Sequence, residues 1–416
     1  MQDILSEQTA PQRVLLCALD TGEEDFELSL DELRELTATA GGEVVGVMTQ
    51  KRPTPEKGTF IGTGRLAEVA EFCGDNEVDL IVFDSELSPT QLRNIEDATG
   101  VHTIDRTMLI LDIFAGRART SEGKLQVELA QLRYMLPRLT GKGVELSRLG
   151  GGIGTRGPGE TKLETDRRHI RRRIEAVREK LEEVEERRDR ARAHRRKTGV
   201  VTAAIVGYTN AGKSTLLNFL TGAGVLAEDK LFATLDPTAR ALTLPSGAEV
   251  LLVDTVGFIR RLPHHLIKAF RSTLGEAKDA DMIIMVCDGA DPSVRSQMEV
   301  SRGLLSELGA GDKPTVVALN KTDIAEPENL IGIQGVRISA ATGQGIDHLL
   351  EAIDEANPQK LVRLNLLLPF DKAGEAAAIR RGGSILEEEY TDSGLRLVAL
   401  CDMATAGKLK DYVMKG

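Results

Sequence analysis

Residues 201–214 read VTAAIVGYTNAGKS. The first six are small, apolar or β-branched and predict a buried strand. The next eight, Gly207, Tyr208, Thr209, Asn210, Ala211, Gly212, Lys213 and Ser214, predict a tight loop that opens a helix. Glycines at 207 and 212 let the backbone curl until consecutive N–H groups face one anion. The positive end of the following helix adds to that field. Lys213 is expected to reach the β- and γ-phosphates of a nucleotide, and Ser214 to offer its hydroxyl to Mg²⁺. A strand, phosphate loop and helix in this order predict an α/β fold built on a parallel sheet.

Three stretches downstream extend the site. Leu251 to Val253 form an apolar run that ends in Asp254, Thr255, Val256 and Gly257. Asp254 can hold Mg²⁺ through water, and the Gly257 N–H can bond the γ-phosphate. Between the phosphate loop and this strand lie Phe232, Ala233, Thr234, Leu235 and Asp236, where a first switch loop belongs. Thr234 and Thr238 are both candidate Mg²⁺ ligands, and Thr234 is preferred as the nearer to the loop centre. Asn320, Lys321, Thr322 and Asp323 follow another apolar run. The Asp323 carboxylate can accept from guanine N1–H and the 2-amino group, donors that adenine lacks. A site built for those donors rejects the base without them. Lys321 is expected to lay its stem over the base. Ser339 and Ala340 come 16 residues after Asp323 and can present a backbone N–H to guanine O6. The nucleotide expected is therefore GTP or GDP. No catalytic group is assigned. Phe258 follows Gly257 and can neither donate nor accept the hydrogen bonds that orient an attacking water, so slow intrinsic hydrolysis is expected. Arg260, Arg261 and His264 are read as exposed switch residues.

The rest of the chain reads as flanking domains. Apolar runs at 13–19, 43–48, 78–83 and 101–104, with helical stretches at 30–39, 65–73 and 89–98, predict a small parallel sheet with helices. The Gly62-x-Gly64 loop is read as turn chemistry rather than a second phosphate site. Leu125, Leu129, Leu132, Leu136 and Leu139 are spaced 4-3-4-3, and Ile170, Ile174, Val177, Leu181 and Val184 repeat that spacing. Two heptad seams joined by a loop predict an antiparallel helical hairpin, with Pro137 ending the first helix near residue 133. The loop between them, 141–159, is glycine-rich and basic through Arg148 and Arg156, with Lys162 close by, and suits RNA phosphates. The expected architecture is a P-loop GTPase domain (199–357) preceded by a small α/β domain (1–118) and the hairpin (119–198). A small α+β domain (358–416) follows, from strand-like runs at 361–370 and 393–400.

Composition limits the function classes. The net charge of the 416 residues is −11, which on average argues against nucleic acid as a partner. Yet residues 133–197 hold 20 Lys+Arg against 11 Asp+Glu, a net of +9. The remaining residues therefore carry 33 against 53, a net of −20. An acidic body with a basic arm is the pattern of a protein aimed at a polyanion. Cys17, Cys73, Cys287 and Cys401 are far apart and read as buried free thiols. The start, Met1-Gln2-Asp3-Ile4, is acidic with no apolar core behind it, so no signal peptide is expected. Apolar runs fall short of the ~20 residues of a membrane helix. A cytoplasmic monomer without a membrane span is expected.

The segments GYTNAGKST, LFATLDPT, DTVGFI and NKTD, preceded by RLGGGIGTRGPGETKLETDRR, resemble the HflX family of translation-associated GTPases. The resemblance covers roughly residues 13–357. It implies a ribosome-binding GTPase that engages the large subunit, touches its RNA with the N-terminal region, and splits or rescues stalled ribosomes. Phe258 fits that pattern. By position, Ser214 and Thr234 are the implied Mg²⁺ ligands. In related GTPases an asparagine placed as Asn210 is helps hold K⁺, which implies faster hydrolysis in K⁺ than in Na⁺. Some members also hydrolyse ATP through the N-terminal region. That leaves an ATP-dependent RNA-remodelling enzyme as the alternative reading.

Overall fold

The computed structural model describes residues 11–139, 162–198, 200–222, 231–232, 235–236, 238–263, 266, 271–358 and 361–414. The glycine-rich tip at 141–159 with Arg148 and Arg156, and also Ala233, Thr234 and His264, lie outside the described residues. The chain divides into two compact units. The first holds Met1–Arg187 together with Glu228–Asp236 and Arg260–Ser272, and the second holds the remainder.

In the first unit, β1 (Gln12–Asp20), β2 (Gly42–Lys51), β3 (Leu80–Phe83) and β4 (His102–Asp105) form a sheet in the order β2-β1-β3-β4. All its pairings are parallel. Helices α1 (Phe26–Thr39), α2 (Thr63–Asp75), α3 (Pro89–Thr99) and α4 (Arg106–Arg117) connect and flank the strands. A parallel strand covered on both faces needs a continuous apolar run, and Val14 to Ala18 are each at most 1% exposed. Boundaries follow local chemistry. Ser88 and Gln91 close a capping box on α3, and Gly100 ends it with a left-handed φ of 70°. Gly62 is the N-cap of α2, with extended backbone, rather than part of a turn, and Gly64 lies in the helix's first turn; the Gly62 N–H donates to Gln50 Oε1 at 2.8 Å.

Helices α5 (Ser121–Met135) and α6 (Lys162–Thr198) build the hairpin. Leu129, Leu139, Ile170, Ile174 and Val177 form its buried seam, flanked by Leu125, Leu132, Leu136 and Leu181. Arg167 donates to the Leu139 carbonyl at 3.0 Å, and Arg173 pairs with Glu128 at 2.9 Å. The contact moves back along one helix as it moves forward along the other, so the pair is antiparallel. Pro137 sits in a single 3-10 turn, Leu136–Arg138, just beyond the end of α5 at Met135. The first switch residues belong to this unit. Phe232 is buried at a φ of 54° and meets Phe114 edge-on, with ring centroids 4.7 Å apart. Asp236 accepts from the backbone N–H groups of Arg119 (2.8 Å) and Thr120 (2.9 Å) and from the Thr120 hydroxyl, at the start of α5.

A buried ion network crosses the same unit. Arg106 is 2% exposed and donates to Asp84 at 2.7 Å and Glu32 at 2.8 Å. It also donates to the Arg260 carbonyl at 3.2 Å. Asp84 accepts from the Ser29 hydroxyl at 2.8 Å. Arg261 reaches Asp84 at 3.5 Å, Asp25 at 2.9 Å, and Glu23. This corrects the reading of Arg260 and Arg261 as exposed: Arg260 is 5% exposed, and Arg261 is half-buried among three carboxylates. Their charge is balanced by acids far away in sequence.

In the second unit, β5 (Val201–Gly207), α7 (Lys213–Thr221), β6 (Thr238–Thr243), β7 (Glu249–Asp254), α8 (Arg271–Asp279), β8 (Met282–Asp288), α9 (Val294–Glu307), β9 (Thr315–Asn320), β10 (Val336–Arg337) and α10 (Ile346–Ala356) follow in order. The sheet runs β10-β9-β8-β5-β7-β6, and only β6 is antiparallel. Then β11 (Leu361–Leu368), α11 (Ala376–Gly382), β12 (Gly383–Thr391), β13 (Gly394–Asp402) and α12 (Met403–Lys408) form a small α+β module. Its antiparallel sheet has the order β11-β13-β12. The four cysteines are free and buried, and burial pushes the Cys73 thiol up to about 11 and the Cys287 thiol up to about 12. Among the described residues, no helix is long and apolar enough to cross a membrane.

Removing one member of a buried ion pair strands the others, at a cost of about 3–5 kcal/mol. Arg106→Met in the full chain should lower the opening free energy of β1 and α4 amides by that amount in native-state hydrogen exchange. A loss under about 1 kcal/mol would show that Glu32 and Asp84 do not depend on it.

Candidate active site

The sheet of the second unit sets the site. Four loops leave the carboxyl ends of β5, β7, β9 and β10, which is where open α/β sheets bind ligands. They carry Gly207–Ser214, Asp254–Gly257, Asn320–Asp323 and Ser339–Ala340. All four sequence-expected groups therefore lie along one edge of one sheet. Phe232, Leu235 and Asp236 fall in the first unit, with the contacts given above. Thr238, the second candidate metal ligand, begins β6 opposite Asp254.

The phosphate loop is shaped by crowding. A Cβ on Gly207 would stand 2.0 Å from the Val286 carbonyl, and one on Gly212 would stand 2.3 Å from Asn320 Nδ2. Both glycines have positive φ, 150° and 91°, and Asn210 is also left-handed at 63°. Lys213 is buried and donates from Nζ to the carbonyls of Tyr208 (2.8 Å) and Gly207 (3.2 Å). Burial pushes its ammonium down to about 8, against the opposing pull of Asp254.

Ser214 Oγ donates to Asp254 Oδ2 at 2.8 Å, and Asp254 is fully buried. One hydroxyl and one carboxylate side by side suit Mg²⁺. That ion prefers hard oxygen, few protein ligands and the substrate's own phosphates. The segment after Asp254 is laced to the phosphate loop in both directions. The Thr209 N–H donates to the Phe258 carbonyl at 2.8 Å, and the Phe258 N–H donates to the Gly207 carbonyl at 3.0 Å. The Phe258 ring is 1% exposed.

Asn320 ties the two ends of the site together. Its Nδ2 donates to the Ala211 carbonyl at 2.8 Å, and its Oδ1 accepts from the Ala340 N–H at 2.9 Å. Lys321 is left-handed at a φ of 61° and pairs with Asp288 at 2.7 Å. Thr322 donates from Oγ1 to the Ile338 carbonyl at 2.8 Å, and the Ser339 N–H donates to Gln344 at 2.9 Å. Asp323 remains exposed at the end of this framework. Sequence reasoning identified Asn320 only as a letter of the NKTD motif. Its bracing role and the Asp288 partner of Lys321 carry no local signal, because their partners are remote in the chain.

A family model described as a GTP-binding GTPase N-terminal region matches residues 27–115, and one described as the middle region matches 117–195. A model described as a 50S ribosome-binding GTPase matches residues 202–321. The chain is 50% identical to GTPase HflX of Caldanaerobacter subterraneus subsp. tengcongensis over 97% of its own length and 94% of that protein. It belongs to the HflX family of GTPases. The HflX of Alkalihalophilus pseudofirmus is 44% identical over the whole of both chains. That of Escherichia coli is 45% identical over 86% of this chain and 85% of its own. As an HflX member this chain is a GTP hydrolase.

The depressed Lys213 ammonium gives a signed pH effect. A triphosphate raises that group, so GTP binding at pH 8.5 should take up the larger part of one proton, and little at pH 7. Affinity should weaken as pH rises above about 8. Calorimetry in buffers of different ionisation enthalpy measures the uptake. No linked proton at pH 8.5 would contradict the buried, partly neutral lysine.

Proposed function

We propose that this HflX GTPase is a GTP-driven switch that acts in the cytoplasm on the large ribosomal subunit and splits or rescues stalled ribosomes. The observation that carries the reading is the place of the two switch segments. Glu228–Asp236 and Arg260–Ser272 are part of the same compact unit as the N-terminal sheet and the hairpin. Arg260 follows Gly257 by three residues. A change of the γ-phosphate at Gly257 would therefore be felt along the chain at Arg261 and its carboxylates. Asp236, at the start of α5, gives the first switch a matching anchor. Switch loops ordered by the γ-phosphate and released on hydrolysis are a known way to turn chemistry into shape.

In this reading Gly207 to Ser214 cradle the phosphates, and Ser214 with Thr234 holds Mg²⁺, which neutralises charge on the phosphates when bound. Asp254 orders the metal's water, Asp323 and Ala340 read guanine, and Asn210 makes K⁺ the favoured monovalent ion. The basic stretch 133–197 supplies the grip on ribosomal RNA. Support comes from its net charge of +9 and from the match of residues 202–321 to the model described as a 50S ribosome-binding GTPase.

Hydrolysis of GTP and ATP, each with and without isolated large subunits, tests the proposal. Large subunits should speed GTP hydrolysis at least tenfold and leave ATP hydrolysis unchanged, on the order of the gains that completing a catalytic constellation gives. Stimulated ATPase that persists in Lys213→Ala would replace this reading with that of an RNA-remodelling enzyme.

A further inference from the structure

Phe258 leaves the hydrolytic site without the side chain that would orient water, and its ring is buried and its backbone tied down. Another hydroxyl stands beside it. Thr209 is 5% exposed, and its Oγ1 is buried with no hydrogen-bond partner among the described residues. A buried hydroxyl left unsatisfied is destabilising, and the rare cases in folded proteins call for a reason. The surroundings supply one. A Cβ on Gly257 would stand 2.6 Å from Thr209 Cγ2, 2.8 Å from Thr209 Cα and 3.0 Å from Lys213 Nζ. The threonine methyl and Cα, the Gly257 backbone and the Lys213 ammonium thus lie around one point, with the unsatisfied Oγ1 on the same side chain. The Thr209 N–H is bonded to the Phe258 carbonyl, and the β-branched side chain has few rotamers, so the direction of the hydroxyl is restricted.

We propose that the Thr209 hydroxyl is a catalytic group for GTP hydrolysis, taking the water-orienting place that Phe258 cannot fill. The inference rests on the reading of this site as the GTP site. Oγ1 accepts a hydrogen bond from the attacking water and, through its own O–H, donates a hydrogen bond to a γ-phosphate oxygen without losing its proton. The water oxygen bonds to the γ-phosphorus. The bond from that phosphorus to the β–γ bridging oxygen breaks, and its electron pair leaves with GDP. Both water protons depart on the phosphate as H₂PO₄⁻, so Thr209 ends unchanged.

Full-length Thr209→Val and Thr209→Ser distinguish this role from packing. Single-turnover hydrolysis, GDP affinity by calorimetry and the Tm of the free protein are the readouts. Thr209→Val should lower the hydrolysis rate on the order of 100-fold, the loss typical of removing one oriented hydrogen-bonding group. Its GDP affinity should stay within about threefold and its Tm should hold or rise, because the change removes an unsatisfied polar atom. Thr209→Ser should hydrolyse within about threefold of the parent. A Thr209→Val rate near that of the parent overturns the proposal. So does a parallel fall of rate, GDP affinity and Tm in both variants, which would mark packing alone. If the unaltered chain hydrolyses no GTP, the reading of the site fails first and the proposal with it.

Discussion

One side-chain amide holds the nucleotide site in register. Asn320 donates to the carbonyl of Ala211 in the phosphate loop and accepts from the N–H of Ala340 in the last loop, while its own backbone ends β9. The loops at Ala211 and Ala340 are thereby fixed at one spacing, as a nucleotide of fixed length bound across them would need. The amide is 2% exposed, and it leaves no room for a side chain at Gly212. Losing it would leave two backbone groups without their partner, at about 1–3 kcal/mol each if they stay buried.

A second constraint is electrostatic. In the first unit, Arg106 gathers Glu32 and Asp84, and Arg261 adds Asp25 and Glu23. A buried ion network is weak evidence for stability, since desolvation offsets much of its attraction. Its geometry is demanding, however, and breaking one member penalises the rest. Such a cluster tends to be either fully made or broken. The cap that Asp236 places on α5 has the same character, because a helix start left without acceptors is unfavourable.

Much of the fold was legible because parallel strands covered on both faces must be apolar throughout. The runs at Val14 to Leu19, Val201 to Val206 and Met282 to Cys287 show it. The heptad seams were legible for the same reason, as leucines at fixed spacing have few other uses. Two edge strands were not. In β6 (TARALT) and β12 (GSILEEEYT) polar residues interrupt the run, so neither stood out. Helix α4 was also missed, because it starts at Arg106, directly after β4, and Asp105 serves both as strand end and as cap. The candidate site was legible as four local words. How those words join was not. Asn320 meets Ala211 across 109 residues, Thr120 meets Asp236 across 116, and Arg261 meets Asp84 across 177. No local pattern encodes such pairs. They exist only once the sheet has set the order of its strands.

The most direct test is calorimetric titration of GDP into Asn320→Ala, with circular dichroism to confirm the fold. If Asn320 holds phosphate loop and base loop at one spacing, GDP affinity falls by at least about 30-fold while the fold persists. Affinity within threefold of the parent would contradict the account, and the four loops would then have to be held in register by something other than this amide.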